Sequence, residues 1–207
     1  KAALRADPNN QGVRDELKKL YKQTQGNNAL VELLRQELER TDADDYQKRL
    51  TILREIATVY REYIKSDTAL VGVLNQIVQL DGKLDEHDVG EVRELVHLHE
   101  KLGRPRELLV SKKLLAEIVP DREEKKALYR SMGRAWLDQF SQVQHAIEAY
   151  AALHELDPLD TEAIERLDEL YRKRRSWKEL YELYREQLGR KEGLQRVPLL
   201  KELAQLS

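Results

Sequence analysis

The chain has 207 residues, 36 of them basic and 38 acidic, so the net charge of -2 favours neither nucleic acid nor an anionic membrane as a partner. Hydrophobic residues make up 41% and charged residues 36%, which excludes a disordered polymer and suits a folded chain with much surface. There is no Cys, so a disulfide framework and a Cys-ligated metal are both excluded.

No apolar run approaches the ~18 residues of a membrane span. No leader is legible, and Lys1–Pro8 reads as the end of a helix, so a piece of a longer protein is expected. The compartment is not encoded in any visible segment, the cytoplasm being the reading preferred.

Taken in order, the chain alternates between amphipathic helices and short breaks. Asp7-Pro8 ends one unit and opens the next, since Pro lacks an N–H and disfavours helix before it. Val13, Leu17, Leu20 and Tyr21 keep the 3.6-residue period, Gly26-Asn27-Asn28 breaks it, and Leu30, Leu33, Leu34 and Leu38 resume it. Asp44-Asp45 starts the next pair, with Leu50, Leu53, Ile56, Ala57, Tyr60 and Ile64 on its first face. Ser66-Asp67 recaps the chain for Leu70, Val73, Leu74 and Ile77, and Asp81-Gly82 ends that helix. Val92, Leu95 and His99 form the next face, then Gly103 stops a helix and Pro105 opens another. Further on, Ile164, Leu167, Leu170 and Tyr171 precede Ser176-Trp-Lys-Glu179, which reads as a capping box. Trp177, Leu180, Leu183 and Tyr184 complete that pair, and Val197 to Leu203 opens another helix.

The most regular stretch is Tyr129–Pro158. Tyr129, Met132, Gly133 and Trp136 fall at helical spacing, followed by Ala146, Tyr150 and the closing Asp157-Pro158. This resembles the tetratricopeptide repeat, whose pattern is aromatic-x₂-Leu-Gly-x₂-Tyr, then Ala-x₃-Phe, then Pro, over about 34 residues. The resemblance implies an all-α, right-handed superhelical solenoid of antiparallel helix hairpins, forming one repeat domain over 1–207. Repeats are expected at 8–41, 42–81, 82–120, 121–158 and 159–190, with partial repeats at 1–7 and 191–207. A related solenoid with pairs of ~40 residues is the alternative. Gly133 and Ala57 are small where the two helices of a pair should approach closely. The partial repeats would leave apolar faces able to self-associate.

Signals for chemistry are sparse. Glu94-Leu-Val-His97 has the Glu-x-x-His spacing of di-iron bundles, but that site needs a second copy and two more Glu. His97 and His99 lie about 200° apart on a helix and cannot share a metal. His99 takes the slot where the family places Tyr, which reads as a packed core His. No phosphate loop, zinc-binding helix or nucleophile turn is present. The expectation is therefore no catalysis, no cofactor and no metal. The basic run Arg172-Lys173-Arg174-Arg175 ends a helix, where cations favour the dipole, so nucleic acid is not expected.

In this family the concave face is lined mainly by first helices. Aligning the repeats implies Arg54, Arg61, Arg93, Arg130 and Arg134 on that face. Arg forms bidentate pairs with carboxylates, so the expected role is a non-catalytic scaffold for a peptide or helical segment, an acidic one above all. The alternatives are a structural spacer in a long repeat array, with these Arg paired to neighbouring Glu, and an accessory repeat region of a larger protein.

Overall fold

The computed structural model describes residues 10–80, 84–190 and 196–206; Pro8, Asp81-Gly82 and Lys191 lie outside them. The all-α expectation is borne out: eleven α-helices and no strand occur among the described residues. They are α1 (Gln11–Gln23), α2 (Asn27–Arg40), α3 (Tyr46–Thr58), α4 (Asp67–Gln79), α5 (Val89–Lys101), α6 (Pro105–Ile118), α7 (Arg122–Asp138), α8 (Val143–Leu156), α9 (Thr161–Arg174), α10 (Trp177–Arg190) and α11 (Val197–Leu206). A π-helical segment, Val59–Ile64, extends α3. The chain forms two compact units, Lys1–Ser111 and Lys112–Ser207, divided within α6.

Helix starts follow the polar caps. Asn10, Asp45, Asp121 and Asp160 each accept the backbone N–H three residues on, at 2.7–3.2 Å, and so satisfy donors the helix leaves open. Ser66 caps α4 in the same way, through Ala69. The Ser176–Glu179 capping box does not form as expected. The Ser176 N–H instead donates to the Tyr171 carbonyl at 2.9 Å, which leaves Glu179 without its reciprocal donor.

The hairpin turns share one device that the breakers in the sequence do not announce. Each first helix is closed by one residue in the left-handed region: Gln25, Lys65, Gly103, Ser141 and Arg175. The next backbone N–H then reaches back to the carbonyl of Tyr21, Tyr60, His99, Trp136 or Tyr171, at 2.8–3.2 Å. This is a Schellman-type closure, and it satisfies carbonyls that a helix end leaves open. Gly103 takes the left-handed position as its lack of Cβ predicts, whereas at the first turn Gln25 does so and Gly26 does not.

In the unit ending at Ser111, α1 to α4 each pack on the next helix, up to α5, and α2 and α4 also hold the π segment. Leu30, Leu34, Leu53, Ile56, Leu74, Val92 and Leu95 are fully buried there. In the unit from Lys112, α7 through α11 pack in the same successive manner. Its core joins Ala146, Tyr150, Leu153, Ala163, Leu167, Leu170 and Leu183, with Tyr129, Trp136 and Tyr171 half-buried around it. Two residues expected on the apolar faces are not covered: Leu20 is 49% exposed and Trp177 is 46% exposed. Both sit near helix ends.

Gly133 is where α7 and α8 meet. A Cβ there would stand 2.7 Å from the Tyr150 ring, which is itself fully buried. The close approach expected from the motif is therefore built by one Gly facing one Tyr.

Candidate functional site

Ala57 and Thr58 stand three and four residues after Arg54, and Arg61 stands four and three after them, so α3 and its π extension present them as one stripe. Opposite, α5 presents Glu91, Arg93, Glu94 and His97, and Leu74 and Ile77 of α4 supply apolar lining. Together they line a groove of about 650 Å³. Arg54, Arg61 and Arg93 are thus brought to one groove. Arg130 and Arg134 belong to the other unit, on α7.

The groove is not a row of bare cations. Arg54 donates from Nε to Glu91 at 2.8 Å. Arg61 grips Glu94 with two parallel bonds, at 2.7 and 2.6 Å, which raises the Arg61 pKa above its ordinary value. Arg93 is likewise engaged. Glu94 is the acid of the Glu-x-x-His pair, and its carboxylate is committed to Arg61. Among the described residues no group of three His, Asp or Glu side chains is arranged to hold a metal ion.

The other unit repeats the arrangement. Arg130 pairs with Asp160 and, at 3.3 Å, with Glu162. Arg134 donates to Glu162 from Nε at 2.6 Å and from a second nitrogen, and these bonds hold the Glu162 carboxyl below the usual range. Asp160 therefore works twice, with one oxygen capping α9 and the other receiving Arg130.

A rule emerges that reading the Arg residues alone misses. A cation on the first helix of one hairpin meets a carboxylate on the first helix of the next. Lys22 pairs with Glu55 at 2.8 Å, Arg54 with Glu91, Arg61 with Glu94, Arg134 with Glu162, and Arg172 with Glu202 at 2.6 Å. The partners stand 28 to 37 residues apart in sequence, about one repeat. That spacing of base to acid was the available signal, and it needs both members in the alignment.

The basic run after Tyr171 is also absorbed. Arg172 binds Asp168, Glu202 and the Tyr184 hydroxyl, and its guanidinium lies 5.8 Å from the Tyr184 ring centroid. Burial first, and then the hydrogen bond to Asp168, push Tyr184 up to about 12. Arg174 donates to Gln144, and Arg175 closes the α9 turn. His99 is buried, and its Nδ1 shares a 2.8 Å hydrogen bond with Ser111, as a packed core His would. No described helix is long and apolar enough to cross a membrane.

The chain is similar to solved tetratricopeptide repeat structures. One is a tetratricopeptide repeat protein from Parabacteroides merdae, 14% identical over 94% of this chain and 71% of that one, with a TM-score of 0.40. Another is YrrB, described as a TPR protein with an unusual peptide-binding site, 13% identical over 98% and 97% of the two chains, with a TM-score of 0.38. A third is a Podosopora anserina putative kinesin light chain with nearly identical TPR-like repeats, 19% identical over 99% and 94%, with a TM-score of 0.37. No protein-family model and no curated protein matches the chain.

Proposed function

We propose that the protein is a non-catalytic interaction scaffold that docks an acidic segment in the groove between α3 and α5. The observation that carries this reading is the donor surplus at Arg54. It commits Nε to Glu91, while its two terminal nitrogens have no partner among the described residues, and it is 45% exposed beside an apolar lining. A carboxylate from a partner would take those donors without displacing Glu91. The groove also holds Arg61 and Arg93 with Glu91 and Glu94, each of these Arg already engaged. Arg61 and Glu94 stay locked and shape the wall. Arg130 and Arg134, in the other unit, lace α7 to α9.

The test is an array of acidic and charge-neutralised peptides titrated against the full chain. Arg54→Ala should weaken the tightest acidic ligand about tenfold and leave the far-UV circular dichroism unchanged. Equal binding of every acidic peptide to both proteins would sink the reading. A structural spacer is the second reading, and the ion pairs running from hairpin to hairpin favour it. Under that reading no peptide binds, and loss of Arg61 or Arg134 alters stability alone.

A further inference from the structure

A second groove, of about 720 Å³, lies in the unit from Lys112, between α8 and α10 and over α9. It is formed mainly by second helices of successive hairpins. Leu167, Tyr171 and Leu183 contribute apolar lining. Around them stand four carboxylates, Glu155, Glu179, Glu182 and Glu186, against the basic side chains of Lys178 and Arg185.

The carboxylates are unequally committed. Glu182 pairs with Arg185 at 3.3 Å. Glu186 takes His154 at 3.1 Å and Arg190 at 2.9 Å. Glu155 on α8 and Glu179 on α10 have no ion-pair partner among the described residues. Glu179 is left over because the Ser176 N–H it was placed to accept is taken by Tyr171. Its charge is felt in the groove, since burial and then Glu179 raise the Tyr171 pKa. His154 bridges the walls by holding Glu186 of α10 from α8. It is 8% exposed, and its Nδ1 has no partner. Bridged walls, an apolar base and unmatched carboxylates are what a ligand cation beside an apolar group requires.

We infer that the α8–α10 groove docks a partner segment carrying Lys or Arg next to a large apolar residue, the cation meeting Glu155 and Glu179 and the apolar group covering the half-buried Ala151 and Tyr171. This site is opposite in charge to the α3–α5 groove and does not rest on it, so the two stand or fall separately.

The probe is a set of fluorescein-labelled peptides that pair Arg with Leu or Phe at i and i+3, with charge-neutral Gln-for-Arg peptides as the control, titrated by anisotropy against the full chain. The Arg peptides should bind, weaken as salt rises, and lose about tenfold in affinity with Glu155→Lys and Glu179→Lys, while Arg54→Ala changes nothing. Equal binding of Arg peptides and their charge-neutral counterparts, or unchanged affinity after both charge reversals, overturns the proposal. Should the reversals loosen the fold, ¹H–¹⁵N shifts of the unaltered protein decide. Peptide-induced shifts at Ala151, Leu183 and Gly189 support the site, and shifts confined elsewhere overturn it. Concentration-dependent self-association abolished by Glu179→Lys would assign the groove to a second copy and overturn the partner segment.

Discussion

At Gly133 one hydrogen atom decides a helix crossing. The Tyr150 ring occupies the space a methyl group would need, at 2.7 Å, and that ring is buried on all sides. Gly133→Ala gains helix propensity, worth roughly 1 kcal/mol, but overpacks a site that has no slack. We expect a net loss of about 1–2 kcal/mol, read as a lower urea midpoint; an unchanged midpoint would show that Tyr150 moves aside freely. His99 gives a second prediction. Burial pushes its pKa below the ordinary value, Arg104 adding to the shift and Glu107 opposing it. The unfolded chain therefore takes the proton first as pH falls through about 6.5. Stability is full above that pH and declines below it until the folded His99 protonates too. His99→Gln should flatten the fall in urea midpoint between pH 7.5 and 5.5; an identical fall in both proteins refutes this origin.

Among the elements, the turns carry the most information. Five hairpins use one left-handed residue each, and only Gly103 is Gly. An L side chain in that region costs about 1 kcal/mol. Ser141→Gly relieves the strain at φ 52° and should raise stability by about 0.5–1 kcal/mol, although Gly also loosens the unfolded chain. Thermal melting of the variant checks the sign, and a lower Tm contradicts it. Two of the caps were legible: Asp45 and Ser66 occur where a short polar side chain precedes an amphipathic run. The left-handed residues were not legible. Backbone geometry, set by the antiparallel return of the chain, selects the position four or five residues after Tyr21, Tyr60, His99, Trp136 and Tyr171, whatever stands there.

On the scale of the whole molecule, both units use ion pairs of one polarity to join successive hairpins. Exposed pairs contribute about 0.2–1 kcal/mol, and bidentate geometry brings Arg61–Glu94 to the upper end. A double-mutant cycle with Arg61→Ala and Glu94→Ala should return a coupling near 1 kcal/mol that shrinks in high salt. Zero coupling would leave the pair a bystander to stacking.

Periodicity of apolar residues determined the helices, their pairing and most of the core, because burial on one face needs only local spacing. Met132 and Tyr150 were readable as core in that way, and Gly133 as a close contact. Only the tertiary structure decided what the Arg residues do, because charge satisfaction depends on which carboxylate the next hairpin brings within 3 Å. Arg54, Arg61 and Arg93 share a groove, Arg130 and Arg134 answer to α9, and Glu179 is left with its charge unspent. A spacing of one repeat between base and acid encodes these pairs, yet it acquires meaning only once the hairpins are stacked.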